Sequence, residues 1–106
     1  MKLEELRAMG AFADNAHAVK KTVSWKDVNG NTISGDIHIR RLSVAENERL
    51  SARGEEKGVS YGAVLISELV LFDGERISYE DAMKLDEVFA EAVVQAIVDA
   101  RKTSKN

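Results

Sequence analysis

The residues best suited to proton or metal chemistry are few and badly spaced for it. The two histidines, His17 and His38, have no partner at H-x-x-x-H or H-x-H spacing, and cysteine is absent. No metal-ligating set can therefore be drawn. Without cysteine there is also no thiolate nucleophile, disulfide or iron–sulfur cluster, and a reducing compartment fits. Serines stand at 24, 34, 43, 51, 60, 67, 78 and 104, none of them in a Gly-x-Ser-x-Gly elbow. Ser43 and Ser78 sit instead where helices need caps. Carboxylates are many but scattered among Lys and Arg, and pairs such as Glu87 with Glu91 repel across one helical turn. Nothing marks a pocket around a catalytic pair. Asp73-Gly74-Glu75 and Asn29-Gly30-Asn31 look like pieces of a calcium loop, yet neither runs on to the acidic twelfth position. Phosphate-cradling glycine patterns are missing. The expectation is a protein with no catalytic, cofactor-binding or metal-binding residue; an enzyme ranks behind a binding function.

The elements must therefore carry the function as surfaces. A chain of 106 residues has room for one hydrophobic core, and 44% apolar with 31% charged residues is the composition of a water-soluble globular protein. The net charge of −3 argues against a nucleic-acid binder. Residues 1–53 carry nine Lys/Arg and seven Asp/Glu, residues 54–106 six and eleven, so the halves are +2 and −5 and can attract within or between chains. No apolar run spans a membrane, and the acidic start Met1-Lys2-Leu3-Glu4-Glu5-Leu6 is no signal peptide. A cytoplasmic protein is expected.

Helical spacing of Leu3, Leu6, Met9 and Ala13 marks a short, weak helix or a flexible arm over residues 1–19. Residues 20–42 alternate with period two around Asn29-Gly30, a hairpin signal. A two-residue turn would put Val23 opposite Asp36 and send the two apolar sets to opposite faces. A three-residue loop 29–31 sets Val23 against Ile37 and Trp25 against Gly35, and is preferred. Residues 43–102 read as helical. Ser43-Val44-Ala45-Glu46 is a capping box, with Gly54 as the expected helix terminator. Ser60 caps a segment over residues 61–72 that is apolar nearly all round; its Val-Ile-Leu content also permits a strand, its length favours a helix, and Asp73-Gly74 is a turn. After a second cap at Ser78, one stripe runs Leu85, Val88, Phe89, Ala92, Val93, Ala96, Ile97 and Ala100, with Lys102 and Lys105 suiting the helix end. The expected fold is helix-rich α+β, a single domain of 1–106: N-terminal arm or short helix, one β-hairpin, then three to four α-helices.

So much apolar surface in so small a chain implies either a fully buried central helix or a shared interface. Candidate self-association residues are Val64, Leu65, Leu69 and Phe72, and candidate client-binding residues are Val94 and Val98. Lys20, Lys21, Arg40 and Arg41 could form a basic patch facing phosphate or, preferably, the acidic half of a neighbouring chain.

The order of elements, with Ile37-His38-Ile39-Arg40-Arg41-Leu42-Ser43 leading into a charged helix and Phe72-Asp73-Gly74-Glu75-Arg76-Ile77-Ser78-Tyr79-Glu80-Asp81-Ala82 into the last one, resembles the tail assembly chaperones of long-tailed bacteriophages and prophages over residues 20–102. The resemblance implies a late, non-enzymatic homo-oligomer, in rings or spirals, that works without ATP. It would bind the tape measure protein, keep it soluble and help recruit tail tube subunits. It would work in the bacterial host cytoplasm and be missing from the mature virion. A longer frameshifted form is common in that family, and the polar ending 102–106 is compatible with such a junction. The alternative is a small cytoplasmic oligomeric adaptor or regulatory module, with nucleic acid as a partner through the basic cluster.

Overall fold

Asp27 decides the hairpin. In the computed structural model, which describes residues 1–103, its carboxylate Oδ1 accepts from the backbone N–H groups of Asn29 and Asn31, both at 2.9 Å. The Gly30 N–H donates to the Asp27 carbonyl, and Gly30 takes the left-handed φ of +83° that its lack of a Cβ permits. The loop is therefore five residues, 27–31, rather than the expected three. Strands β1 (Val19–Lys26) and β2 (Thr32–Ile39) pair antiparallel with Val23 opposite Gly35 and Trp25 opposite Ile33. This register differs from the expected one by a whole side-chain period, so both apolar sets still share one face.

The helices begin as their caps dictate. An exposed α1 (Leu3–Ala8) and a 3-10 turn (Asn15–His17) precede the hairpin. Helix α2 (Val44–Gly54) starts in the Ser43/Glu46 capping box. It includes Gly54, whereas Gly58, with φ +77°, takes the left-handed conformation. Gly54 is a packing residue: a Cβ there would stand 2.6 Å from the Tyr61 ring. Helix α3 (Tyr61–Leu69) is capped by Ser60.

Here the chain departs from the expected helix over 61–72. Val70–Leu71 forms strand β3, pairing with β2 through Ile39↔Val70 and His38↔Leu71 to make a three-stranded antiparallel sheet in the order β1-β2-β3. Carbonyls at the end of α3 are taken by arginines. The Arg76 Nε donates to Ser67 O at 3.1 Å and the Arg40 guanidinium to Glu68 O, while the Arg40 N–H donates to Leu69 O. Those acceptors would otherwise be orphaned. Asp73 and Gly74 (φ +52° and +84°) form the tight turn closed by Phe72 and Glu75.

The last helical region divides in two, α4 (Tyr79–Ala82) after the Ser78 cap and α5 (Glu87–Thr103). The break falls where Asp86 supplies a fresh cap, its Oδ2 accepting from Phe89 N–H at 3.1 Å. Lys105 and the end of the polar 102–106 stretch lie outside the described residues. The core joins Val23, Ile37 and Ile39 of the sheet to Leu50 of α2, to α3, and to Val93, Ile97 and Ala100 of α5. The Trp25 and Phe89 rings meet edge to face at 4.6 Å between centroids, fastening the hairpin to α5. The architecture is helix-rich α+β, as the sequence implies.

Candidate interaction surfaces

Three features stand out on this scaffold: an apolar groove, an arginine-centred junction and the N-terminal arm. Helices α3, α4 and α5 enclose a groove of about 610 Å³. Ala63, Ile66 and Ala82, all nearly inaccessible, form its depth, and Val94 lines it beside Ala90. The two charged residues lining it are Glu87 and Glu91, one helical turn apart on α5 and both exposed. A groove of this shape, apolar in its depth and acidic on one wall, can accept an apolar helical segment with basic flanks. A second cleft, of about 400 Å³, lies among the β2 end, α2 and the end of α5. It is lined by Arg41, Asn47, Glu48 and Arg101, and Arg101 donates across it to Asn47 at 3.2 Å.

Arg40 is a structural junction. Its guanidinium donates to Asn15 Oδ1 at 3.2 Å, to the Glu68 carbonyl and to Glu46 Oε2 at 2.8 Å. The root of the N-terminal arm, the start of α2 and the end of α3 are thereby held by one side chain. Glu46 also accepts the Ser43 N–H at 3.1 Å. The hydrogen bond from Arg40, helped by that backbone N–H, lowers the Glu46 carboxyl from 4.5 to about 2, outweighing its partial burial.

The expected basic patch is not assembled as one free cluster. Lys20 and Lys21 are consecutive on β1 and point to opposite sheet faces. Arg40 is engaged as described, and Arg41 is exposed at the rim of the second cleft. The sequence carried one sign of the junction, an arginine just past a strand and three residues before a capping box. Arg76, which helps cap α3, carried none.

A family model described as phage tail assembly chaperone, TAC, matches residues 4–101. The chain belongs to that family. No curated protein and no solved structure matches it. In this tail assembly chaperone Val64, Leu65 and Leu69 lie in the core of the chain, at 1%, 8% and 1% exposure. Phe72, half-buried, stands 6.3 Å from the Phe89 ring. Val94 lines the groove and Val98, one turn along α5, is exposed. Among the described residues no group of three His, Asp or Glu side chains is placed to hold a metal ion, and no helix is long and apolar enough to cross a membrane.

Exposed apolar side chains are scattered over the surface, Val28 at 97% and Val44 at 80% among them, and the arm carries a run of them. Leu3, Met9 and Phe12 are 63%, 68% and 42% exposed, and α1 buries none of its residues. Helical spacing marked Leu3, Leu6 and Met9; Phe12, past the helix end, escaped it. The Arg7 guanidinium lies over the Phe12 ring at 4.7 Å.

Proposed function

We propose that this chain is a non-enzymatic chaperone that self-associates, binds apolar helical segments of the tape measure protein and keeps that protein soluble while tail tube subunits are recruited around it. The observation that carries the reading is the apolar groove between α3 and α5 with Val94 on its wall, in a chain of this family. A chaperone working without ATP needs standing apolar surface for its client. Repeated weak contacts along a long client also require many copies acting together. Client segments lie along the groove and pass Val98. The subunits act in the host cytoplasm and leave before the virion is complete. Because α3 is spent on the subunit's own interior, self-association uses other surfaces.

Co-expression with the tape measure protein of the same genome tests this. Wild-type chain should co-purify with the tape measure and hold it in the soluble fraction. Val98→Asp, at an exposed site, and Val94→Asp should release it while the variant itself stays folded. A tape measure equally soluble with and without this chain would overturn the proposal.

A further inference from the structure

The arm and the groove are complementary in shape and charge. Helix α1 has six residues, far below the roughly 12–15 that an isolated helix needs to hold itself in water. Leu3 and Leu6 of α1 and Met9 at its C-cap recur every three residues, so they line one face, and Phe12 continues past the helix. Lys2, the N-cap, lies on that side, Arg7 and Glu5 stand at its two edges and Glu4 lies on the far side. The groove offers the converse, an apolar depth with two carboxylates, Glu87 and Glu91, that repel each other and have no cationic partner among the described residues. Lengths agree as well. Six helical residues rise about 9 Å, and the α5 wall from Glu87 to Gln95 about 12 Å.

The arm's root is held by its own contacts, away from the groove lining. Gly10, with φ +80°, sits so tightly on the His17 ring that an added Cβ would lie 2.9 Å from Cδ2. Ala11 N–H donates to the Leu6 carbonyl at 2.9 Å, and the His17 ring nitrogen meets Asp14 at 2.7 Å. This hook takes up the slack in the tether. Asn15 is meanwhile pinned by Arg40 beside the C-terminal end of α3, whereas the groove lies along the N-terminal half of that helix.

We infer that the N-terminal arm of one copy docks in the α3–α5 groove of the next, Leu3, Leu6 and Met9 entering it and Lys2 and Arg7 meeting Glu87 and Glu91. The contact is head-to-tail, so it propagates into a ring or an open spiral. The inference rests on the reading that the chain self-associates and receives its client in that groove. One groove cannot hold both occupants, and the client displaces the arm.

Because the chain has no cysteine, introduced thiols report cleanly. Full-length Leu3→Cys chain is mixed with full-length Val94→Cys chain, each first checked for an unchanged melting curve, and treated with a short bis-maleimide. The expected product is the mixed arm–groove adduct. It should weaken in Glu87→Lys/Glu91→Lys, with a threefold to tenfold rise in half-assembly concentration, roughly what two exposed charge pairs supply. Restoration by Lys2→Glu/Arg7→Glu in the partner chain would support the pairing. No mixed adduct, adducts of like variants only, or a bond formed only within a chain carrying both cysteines would each overturn the inference. Tape measure co-purification, scored separately with wild-type chain, tells that failure apart from failure of the chaperone reading.

Discussion

Helix α3 and the N-terminal arm are both rich in large apolar side chains, and they meet opposite fates. Val64, Ile66 and Leu69 are each 1% exposed, while Leu3, Met9 and Phe12 are 63%, 68% and 42% exposed. Helix α3 is apolar nearly all round and has α2, α4, α5 and the sheet about it, so burial satisfies every face. The arm has one apolar face, too few residues to nucleate a stable helix and no place in the core. Apolar content alone does not identify an interface. What identifies it is apolar surface that the subunit's own elements leave uncovered.

The strongest way to break this contrast is Leu69→Asp. A carboxylate placed in that core costs more than about 4 kcal/mol, a large share of the 5–15 kcal/mol that holds a domain together. The variant should lose its far-UV circular dichroism at room temperature. Leu69→Ala should remain folded with about 2–5 kcal/mol less stability in urea. A folded Leu69→Asp chain that had merely changed size in light scattering would return α3 to the interface and erase the contrast.

The junction between the two regions gives the next effect. Arg40→Met removes the donor to Glu46, Glu68 and Asn15, and should cost about 2–3 kcal/mol, short of the full penalty for a buried pair because Glu46 keeps some water. It also carries a pH signature. The Glu46 carboxyl is lowered in the folded chain to about 2 from 4.5. The unfolded chain thus binds its proton first as pH falls, and the stabilisation present above about 4.5 is lost on the way down to about 2, at most about 3 kcal/mol in all. Urea titrations at pH 6 and pH 3 should show about two thirds of that loss in wild type and much less of it in Arg40→Met or Glu46→Gln. Ser43→Ala, which removes only the helix cap, should cost about 1 kcal/mol with little change in that pH dependence.

Much of this fold was legible because its signals are local. Ser43, Ser60 and Ser78 cap helices as their spacing implies, and the period-two alternation marks the hairpin and its shared face. The misreadings are where tertiary contacts override local pattern. Val70–Leu71 leaves the helix because β2 offers backbone partners and arginines take the last α3 carbonyls. Asp27 lengthens the loop through a side chain that period-two counting does not weigh. Arg40 read as a free cation since its three partners, Asn15, Glu46 and Glu68, come from scattered positions in the sequence. Of the interaction surfaces, Val94 was legible from apolar positions beside the main α5 stripe, but a groove needs three helices to close and no one of them announces it.

The smallest effect on stability is also the sharpest test of what the arm is for. Leu3 and Met9 touch little of their own subunit, so Leu3→Asp/Met9→Asp should change urea stability by no more than about 0.5 kcal/mol in dilute solution, where copies are apart. On the proposed arm–groove contact, the same variant should scatter light at higher concentration as smaller species than wild type, because docking would cover the apolar area the arm leaves in water. The two measurements must part company. A variant equally destabilised at every concentration would show that the arm belongs to its own subunit after all, and the distinction between α3 and the arm would become one of degree. An unchanged melt with a lost assembly would place the arm's whole energetic value between chains.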